Sequence, residues 1–556
     1  MSSNYTGSDL VVDALESYGV THVFGNPGTT EVPLLNALGD SELQYVLGLH
    51  EDIAVGMAAG YASTRRYHAH KGDAFPLGVV NLHVAPGLAH GLGNLQNAHQ
   101  SGVPLLVTAG EHGTSHRHEE PILSGDLVKM AEEYTKWSAV VEDVSALPTM
   151  LRRAIRTALT PPTAPVFLGF PIDVMMAETD ERPERLGGIP AAGRGDRQQI
   201  EAAVRELENA TDPVLVLGDQ VARTGPRGIE AATTLAAETG MPVYSEMATG
   251  EINYPPGDDQ WVSFIAPDPD MARVALDSDA LVFVGCSTNV PYIPYDEAFV
   301  PDDATTIHIG DEAWELGKNE PADIAIVGDP GSVMSEIAGL VDVSEAERER
   351  RYGRIPERRE EMEPFHPTAD VDAPSISKPA LAETLATVAP DALVVNESNT
   401  SKYPLLTRWP LDPEQFIANK NGGLGYALPA AVGAGIAVSQ SGEKRSVIGF
   451  IGDGSFLYYP QTMYTAARYG VDVTVVVPNN RNYRILKDGM LEIFGGTDDD
   501  YDYVGMDIDP EFDIAENTHS QGVVADSVRD IELLESTLRE AVTTDKPALV
   551  DVRVED

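Results

Sequence analysis

Two apolar runs near the C-terminal end place the strongest constraint on how this 556-residue chain folds. The run at 446–451 ends in Gly452-Asp453-Gly454-Ser455, and the run at 471–477 ends in Asn479-Asn480, with a helix-like stretch between them. Parallel strands joined by a helix bring their carboxyl ends to one sheet edge, where α/β proteins bind ligands. Glycine lets the backbone approach phosphate, and Asp and Asn supply the oxygen atoms that Mg²⁺ prefers. The segment predicts a site for a metal-bound diphosphate.

This pattern resembles the signature of enzymes that depend on thiamine diphosphate, in which Gly-Asp-Gly is followed later in the chain by Asn-Asn. Four other stretches match the same superfamily in the same order: Phe24-Gly25-Asn26-Pro27-Gly28-Thr29, His50-Glu51, Asn81-Leu82-His83 and Asn421-Gly422-Gly423-Leu424-Gly425-Tyr426-Ala427-Leu428-Pro429-Ala430. The resemblance covers nearly the whole chain. It is closest to benzoylformate decarboxylase-like enzymes, with acetolactate synthases more distant.

Apolar, strand-like runs alternate with helix-like runs, which predicts an α/β protein with parallel sheets. Besides 446–451 and 471–477, strands are predicted at 21–24, 45–49, 77–82, 105–109, 166–170, 214–218, 242–245, 280–286, 305–309 and 324–327. The resemblance implies three doubly wound parallel-sheet domains. The expected boundaries are 1–180 for a pyrimidine-binding domain, 190–343 for a central domain, 344–376 for a charged solvated helix and linker, and 377–556 for a diphosphate-binding domain.

Three residues are candidates for proton transfer and substrate contact. Without the resemblance, Glu51 would be interpreted as an acidic residue that favours the start of a helix. The resemblance implies instead that Glu51 forms a hydrogen bond with the aminopyrimidine N1′ of the cofactor. His83 aligns with an active-site histidine that moves protons to and from the reacting carbon. Thr29 stands where related decarboxylases have a serine that contacts the substrate carboxylate. A helix cap is the alternative role for Thr29.

The resemblance also implies the residues that hold cofactor and metal. Asp453 and Asn480 would bind Mg²⁺ through side chains, and Asn482 through its backbone carbonyl, whereas the alternative is that they are turn residues. Leu424 would prop thiamine diphosphate in a bent shape, which is a proximity effect. The remaining expected cofactor contacts are Gly423, Gly454, Ser455, Tyr483, Asn399 and Thr400. FAD, which acetolactate synthases bind in the central domain, is a further candidate without a recognisable site.

The chain departs from the family in the central region. Benzoylformate decarboxylases have a second active-site histidine there, but residues 287–295 contain none, and Tyr292 or Tyr295 is the candidate replacement. The histidine-rich stretch 111–120 fits no firm zinc spacing. We interpret it as a polar loop near the mouth of the active site, with a metal site as the alternative.

The charge balance limits the classes of partner. The chain has 38 basic and 87 acidic residues, a net charge of −49, and the acids are spread along its whole length. Such a surface repels nucleic acids and anionic membranes, and it suits a halophilic cytoplasm in which salt screens the repulsion. No apolar run is long enough to cross a membrane, and the first residues lack the pattern of a secretory signal. A cytoplasmic location is expected.

The functional expectation is a decarboxylase that converts a bulky apolar 2-oxo acid, such as benzoylformate, to an aldehyde and CO₂. An acetolactate synthase-like carboligase is the first alternative, because it shares the early steps. A non-catalytic protein that binds thiamine diphosphate is the second. The resemblance further implies a homodimer or homotetramer, because the glutamate and the diphosphate site of the family meet across a subunit interface.

Overall fold

Three parallel sheets organise the chain in a computed structural model that describes residues 5–72, 74–287, 295, 297–369 and 375–555. Each sheet has six strands, and all strand pairs within the sheets are parallel. Among the described residues, no helix is both long and apolar enough to span a membrane. The predicted α/β class with three doubly wound sheets is confirmed.

The first sheet has the order β2-β1-β3-β4-β6-β5. Its strands are β1 His22–Gly25, β2 Gln44–Leu47, β3 Gly78–Leu82, β4 Leu105–Glu111, β5 Ser138–Val140 and β6 Val166–Pro171. The helices of this region are α1 Gly7–Ser17, α2 Val32–Gly39, α3 Glu51–Ala69, α4 Val84–His90, α5 Leu92–Gln100, α6 Leu127–Ala131, α7 Leu147–Leu159 and α8 Ile172–Met176.

The second sheet has the order β12-β11-β10-β7-β8-β9. Its strands are β7 Pro213–Leu217, β8 Val243–Ser245, β9 Trp261–Phe264, β10 Ala280–Val284, β11 Thr305–Gly310 and β12 Ile324–Val327. The helices that accompany it are α9 Arg197–Asn209, α10 Asp219–Arg223, α11 Pro226–Thr239, α12 Pro269–Leu276, α13 Pro330–Leu340, α14 Glu345–Tyr352 and α15 Ile355–Glu361.

The third sheet has the order β14-β13-β15-β16-β18-β17, which repeats the order of the first. Its strands are β13 Leu393–Glu397, β14 Phe416–Ala418, β15 Val447–Ile451, β16 Thr474–Asn479, β17 Val524–Val528 and β18 Ala548–Arg553. Its helices are α16 Lys378–Val388, α17 Lys402–Arg408, α18 Ala427–Ser441, α19 Asp453–Phe456, α20 Thr462–Tyr469, α21 Arg484–Phe494, α22 Ile514–His519 and α23 Ile531–Val542.

Every strand predicted from the sequence is present, with ends that differ by up to three residues. The predicted domain boundaries stay a prediction. The charged stretch differs from the expected solvated helix in one respect, because Arg351 and Arg358 in α14 and α15 are buried. Arg351 donates to the carbonyls of Thr239 and Leu207, so this stretch is fastened to the central sheet region rather than only solvated.

One apolar core joins the first and third sheet regions, and α3 against α18 is its centre. Glycine makes this close approach possible. A Cβ on Gly60 would lie 2.0 Å from the carbonyl oxygen of Ala430, and one on Gly433 would lie 1.9 Å from that of Met57. The two sheets are therefore held at a fixed spacing by backbone contact between helices.

Candidate functional site

A cleft of about 470 Å³, open mouth included, lies at the carboxyl edge of the third sheet. It opens between β13 and β15, where the strand order reverses and doubly wound sheets bind ligands. Nine of the sequence-predicted residues line it together: Asn399, Thr400, Leu424, Asp453, Gly454, Ser455, Asn480, Asn482 and Tyr483. Gly423 is adjacent, and its carbonyl accepts hydrogen bonds from Asn97 and Asn419.

Asp453 is fixed at the floor of this cleft. It begins α19 directly after β15, and its carboxylate accepts N–H bonds from Gly454 at 2.8 Å and Arg481 at 2.6 Å. Burial raises the pKa of this carboxyl to about 6, although the two backbone bonds act in the opposite direction. A bound cation would stabilise the ionised form of this buried carboxylate, so Asp453 is suited to be a metal ligand.

Asn480 and Asn482 follow the neighbouring strand. Asn480 comes directly after β16, which pairs with β15, so the amide and the carboxylate of Asp453 share one edge of the sheet. Asn482 donates its side-chain N–H to the backbone carbonyl of Asn480 at 2.9 Å. The donor set of carboxylate, amide and carbonyl oxygens is of the kind that Mg²⁺ takes in proteins, and it leaves positions for phosphate oxygens.

The cleft wall requires glycine at position 454. A Cβ there would lie 2.4 Å from the ring of Tyr483, so the ring packs directly over the backbone. Ser455 donates its hydroxyl to the carbonyl of Glu397 at 3.2 Å. Small residues and backbone N–H groups at the start of α19 leave room for a diphosphate, and the fit to the predicted cofactor is good.

Sequence reasoning missed Glu397, the last residue of β13. Its carboxylate is buried and accepts backbone N–H bonds from Gly425 and Ala427, each at 2.5 Å. Burial raises the pKa of Glu397 to about 7. The residue anchors the loop that carries Leu424 and the first turn of α18. The signal in the sequence that could have identified Glu397 is an acidic residue at the end of an apolar, strand-like run.

A second group of site residues lies at the reversal between β1 and β3 of the first sheet. His83 follows β3, and its Nδ1 lies 2.7 Å from Oε2 of Glu31 and 3.2 Å from the hydroxyl of Thr30. Ionised carboxylates only accept hydrogen bonds, so Nδ1 carries a proton and Nε2 remains available to other partners. A Cβ on Gly28 would lie 2.0 Å from the His83 ring, which explains the glycine in this turn.

Glu31 is the second residue that sequence reasoning missed. Only 2% of it is exposed, and it also accepts N–H bonds from Gly28 at 3.1 Å and Gly110 at 2.9 Å. Thr29, the predicted substrate contact, is exposed at the start of the same turn. Its neighbour Thr30 is the one that reaches His83.

Glu51 begins α3 and is 8% exposed. Its Oε2 lies 3.2 Å from Nδ1 of His90. A Cβ on Gly87 would lie 3.2 Å from Oε1 of Glu51 and 3.3 Å from Cβ of His83, so these two side chains flank the same glycine. The structure thus brings Glu51 and His83 together.

Within one chain, the two groups remain separate sites. All the residues described as lining the diphosphate cleft lie between 378 and 554, whereas Glu51 and His83 belong to the first sheet region. They are linked indirectly: Asn94 donates to the carbonyl of Gly425 at 3.2 Å, and Tyr459 donates to Asp52 at 2.9 Å.

Two tyrosines were predicted as candidates to replace the second histidine, and the structure describes one of them. Tyr292 lies outside the described residues, and Tyr295 stacks on Phe299 with the ring centres 4.2 Å apart.

In the histidine-rich stretch, Arg117 pairs with Glu111 and Glu142, and His118 with Glu119. Over the described ranges, the group able to hold a metal through histidine and acids is His50, Glu51 and His90 instead.

A polar pocket of about 760 Å³, open mouth included, lies at the reversal point of the central sheet. Buried Lys420 pairs there with Asp219 at 3.0 Å and with Glu246. A dinucleotide at such a point places its diphosphate against the strand ends. Lys420 is engaged by both carboxylates, and Arg223 and Lys318 line the same pocket, so its charge does not decide for or against FAD.

Comparisons with known proteins agree with this geometry. Models described as thiamine pyrophosphate enzyme domains match residues 5–134 (N-terminal TPP binding domain), 200–337 (central domain) and 402–552 (C-terminal TPP binding domain). Benzoylformate decarboxylase of Pseudomonas aeruginosa is 30% identical, with 97% of each chain covered. A probable acetolactate synthase large subunit of Methanocaldococcus jannaschii is 25% identical, covering 99% of this chain and 92% of that protein.

Solved structures show the same relationship. The thiamine diphosphate-dependent 4-hydroxybenzoylformate decarboxylase of Rhodococcus jostii RHA1 is 29% identical, with a TM-score of 0.84 and 99% of each chain covered. Benzoylformate decarboxylase from Polynucleobacter necessarius has a TM-score of 0.88 over 99% of each chain at 24% identity, which shows the fold. The chain therefore belongs to the thiamine pyrophosphate enzyme family.

Proposed function

We propose that this protein uses thiamine diphosphate and Mg²⁺ to decarboxylate a bulky apolar 2-oxo acid, such as benzoylformate, to an aldehyde and CO₂ without oxidation. The observation that carries the proposal is His83, which is held by the buried carboxylate of Glu31 beside Glu51. Aldehyde release requires a proton at the carbon that loses CO₂. A histidine with an oriented ring is suited to deliver it.

Each residue has a separate task in this proposal. When bound, thiamine diphosphate supplies the electron sink that takes up the pair left behind by CO₂. Glu51 holds a proton at the pyrimidine ring nitrogen, and His83 moves a proton to and from the reacting carbon through Nε2. Leu424, at the rim of the cleft, packs against the cofactor, and the hydroxyl of Thr29 faces the substrate carboxylate.

Asp453, Asn480 and the backbone carbonyl of Asn482 would hold Mg²⁺. The buried carboxyl of Asp453 has a raised pKa and lies at the same edge as the two asparagines, which supports this assignment. The remaining coordination positions would go to diphosphate oxygens.

A homodimer is the proposed minimum active unit. The support is that Glu51 and His83 lie apart from the diphosphate cleft within one chain, while both groups are at strand-order reversals of sheets with the same topology. Two copies arranged about a twofold axis would complete two sites, each with a first-sheet group from one subunit and a third-sheet cleft from the other.

The second candidate is a carboligase that joins two 2-oxo acids. It is favoured by the relatives described as acetolactate synthases, such as that of Bacillus subtilis, which is 26% identical over 99% of this chain.

The test is a panel of 2-oxo acids from pyruvate to benzoylformate, assayed in molar KCl with thiamine diphosphate and Mg²⁺. CO₂, aldehyde and acetolactate are all measured. We expect aldehyde and CO₂ in equal amounts from the aromatic acids. Acetolactate from pyruvate as the main product would assign the protein to the carboligases, and no CO₂ from any acid despite bound cofactor would contradict both candidates.

A further inference from the structure

Asn94 in α5 is fully buried and contacts both the start of α3, which carries Glu51, and the loop that carries Leu424. Its side-chain amide donates to the carbonyl of Asp52 at 2.9 Å and to the carbonyl of Gly425 at 3.2 Å. Carbonyl oxygens only accept, so both N–H donors of this amide are used and its orientation is fixed. One side chain thus bonds to a backbone group beside Glu51 and to another beside Leu424.

The start of α3 is held against α5 by two further contacts. The backbone N–H of Asn94 donates to the carboxylate of Asp52 at 2.7 Å. A Cβ on Gly56, about one turn further along α3, would lie 3.0 Å from the amide nitrogen of Asn94. Glu51 begins this helix, so the position of its carboxylate depends on how Asn94 packs against the first turn.

The loop at Leu424 is held from the same side. Asn97, one turn after Asn94, donates to Oδ1 of Asn94 at 3.0 Å and to the carbonyl of Gly423 at 3.3 Å. The carbonyls on both sides of Leu424 therefore bond to α5. Gly425 has a φ of +94°, in the region that favours glycine. A shift of Asn94 would therefore displace the side chain at the rim of the diphosphate cleft.

These contacts serve different active sites in the proposed dimer. Each site takes Glu51 from one subunit and the cleft with Leu424 from the other, so the Glu51 and the Leu424 of one chain act in opposite sites. Asn94 bonds to the supports of both within its own chain. The bonds are buried in that single chain, so they do not depend on which surface the dimer covers.

We propose that Asn94 is a positioning residue for two active sites at once, for Glu51 in one and for Leu424 in the other. The inference rests on the proposed function, which assigns these two residues to opposite sites of a homodimer. Through the first turn of α3, Asn94 holds the Glu51 carboxylate in place for the pyrimidine ring. Through Gly425 it holds Leu424 in place at the cleft. Small displacements of groups that orient a reacting molecule are costly in rate.

A hybrid dimer with one working site tests this assignment. One subunit carries Glu51→Gln and the other carries Asp453→Ala, which removes the proposed metal ligand. The working site then has its cleft from the first subunit and its Glu51 from the second, and two different affinity tags isolate the hybrid. The readout is exchange of the C2 proton of bound thiamine diphosphate for deuterium, which needs no substrate.

Asn94→Ala is then introduced into one subunit at a time. We expect exchange at the working site to slow by about tenfold or more with either placement. The reason is that Asn94 supports the cleft in one subunit and Glu51 in the other. If the alanine variant does not fold, Asn94→Leu, which fills similar space without an N–H donor, should give the same result.

Asn419→Ala is the matched control. Asn419 donates to the carbonyl of Gly423 at 2.9 Å and accepts the backbone N–H of Gly422 at 2.6 Å, so both of these bonds lie within the loop. This substitution should slow exchange when it is in the subunit that supplies the cleft. In the subunit that supplies Glu51 it should leave the rate of the parent hybrid unchanged.

Backbone amide exchange of the cofactor-free protein gives a second measurement that does not depend on catalysis. In Asn94→Ala, peptides from the first turn of α3 and from residues 423–427 should both exchange faster than in wild type. In Asn419→Ala the change should be confined to the peptides from 423–427. Faster exchange at the loop alone in Asn94→Ala would contradict the proposed double role.

Two results of the hybrid experiment would overturn the inference: slow exchange with only one placement of the Asn94 variant, or the parent rate with both placements. A parent hybrid that does not exchange C2, made from a wild-type protein that does, would show that the sites do not combine two subunits, and the inference would fall with the proposed dimer. The proposed reaction fails separately. If wild type exchanges C2 but releases no CO₂ from any acid in the panel, the decarboxylase assignment is wrong and the role of Asn94 stands.

Discussion

Glu31 illustrates how much of the candidate site depends on one buried carboxylate. It holds Nδ1 of His83 at 2.7 Å and is itself held by the backbone N–H groups of Gly28 and Gly110. This arrangement selects one tautomer of the histidine and fixes the direction of Nε2. The charge of Glu31, and not only its shape, should matter for proton transfer by His83.

Glu31→Gln tests that charge, because the amide has nearly the same shape. We expect the rate of aldehyde formation to fall by about a hundredfold, since the ring loses its orientation and the stabilisation of its protonated form, and this is the lower end of the range for acid–base contributions. The measurement is kcat across the pH range in which histidine titrates. Glu142→Gln, an exposed acid paired with Arg117, is the control. An unchanged rate and pH profile in Glu31→Gln would remove Glu31 from the mechanism.

Sequence could predict the site residues that follow strand ends. Asp453 and Asn480 come directly after apolar runs, and parallel pairing alone brings them to one edge. Glu397 ends an apolar run in a similar way, so its place at the edge was open to the same reasoning, although its bond to the loop at Gly425, 28 positions away, was not. Glu31 could not be assigned in this way, because its contact with His83 spans 52 positions and depends on tertiary packing that no local pattern contains.

At the scale of helices, the crossing of α3 and α18 gives a stability prediction. Gly60→Ala would place a methyl group 2.0 Å from the backbone oxygen of Ala430, which cannot move aside as a side chain could. We expect destabilisation of about 1–3 kcal/mol, larger than the gain in helix propensity. The measurement is the thermal unfolding midpoint.

Gly489→Ala is the matched control for that substitution. Gly489 lies inside α21, and a Cβ there meets nothing within 4 Å. Alanine should stabilise the helix by about 0.5–1 kcal/mol. Opposite shifts in the two variants would support the packing argument, and a rise in the midpoint for Gly60→Ala would contradict it.

The loop anchored by Glu397 gives a prediction for pH dependence. Burial raises the pKa of Glu397 from about 4.5 to about 7 in the folded protein, so folding takes up a proton between these values. The buried acid is neutral below pH 4.5 in both states. As the pH rises from 4.5 to 7, the unfolded chain releases this proton and the folded protein does not, so the folded protein loses on the order of 3 kcal/mol of stability over this range and no more above it.

Glu397→Gln removes that titration. Relative to wild type, the variant should become more stable as the pH rises from 5 to 8, because only in the wild type does unfolding release this proton. At pH 5 the variant should be the less stable protein, since its amide N–H₂ meets one of the two backbone donors. Thermal midpoints of both proteins across this range provide the comparison, and parallel curves would show that Glu397 does not titrate there.

Six strands were missed by sequence, and four of them were missed for identifiable physical reasons. β5 and β14 have three residues each, and β9 has four, so they are too short for a periodic pattern. β17 lies at a sheet edge and is exposed at three of its five positions, which weakens its apolar signal. β13 and β18 were missed as well, although they are buried strands of five and six residues, so burial of both faces did not by itself make a strand predictable.

For the whole molecule, the repeated strand order of the first and third sheets is the main architectural fact. Both have the order 2-1-3-4-6-5 when their strands are numbered from the start of each sheet, and both carry site residues at the same reversal. No sequence repeat revealed this, because a fold is fixed by the placement of apolar runs and turns rather than by particular residues.

The net charge of −49 sets the last prediction. Acidic stretches such as Asp498-Asp499-Asp500 are exposed on the surface. Folding therefore brings many negative charges close together, and unfolding reduces the repulsion between them. Because the Debye length falls from about 10 Å at 0.1 M salt to about 3 Å at 1 M, we expect the thermal midpoint to rise by several degrees between these concentrations of KCl. Most of the gain should occur below 1 M, where screening changes most, and an uncharged osmolyte at equal osmolality should not reproduce that profile. If the proposed dimer forms at high salt, light scattering should show its loss at low ionic strength. A midpoint and a mass that are the same in low and high salt would mean that the acidic surface is tolerated without screening.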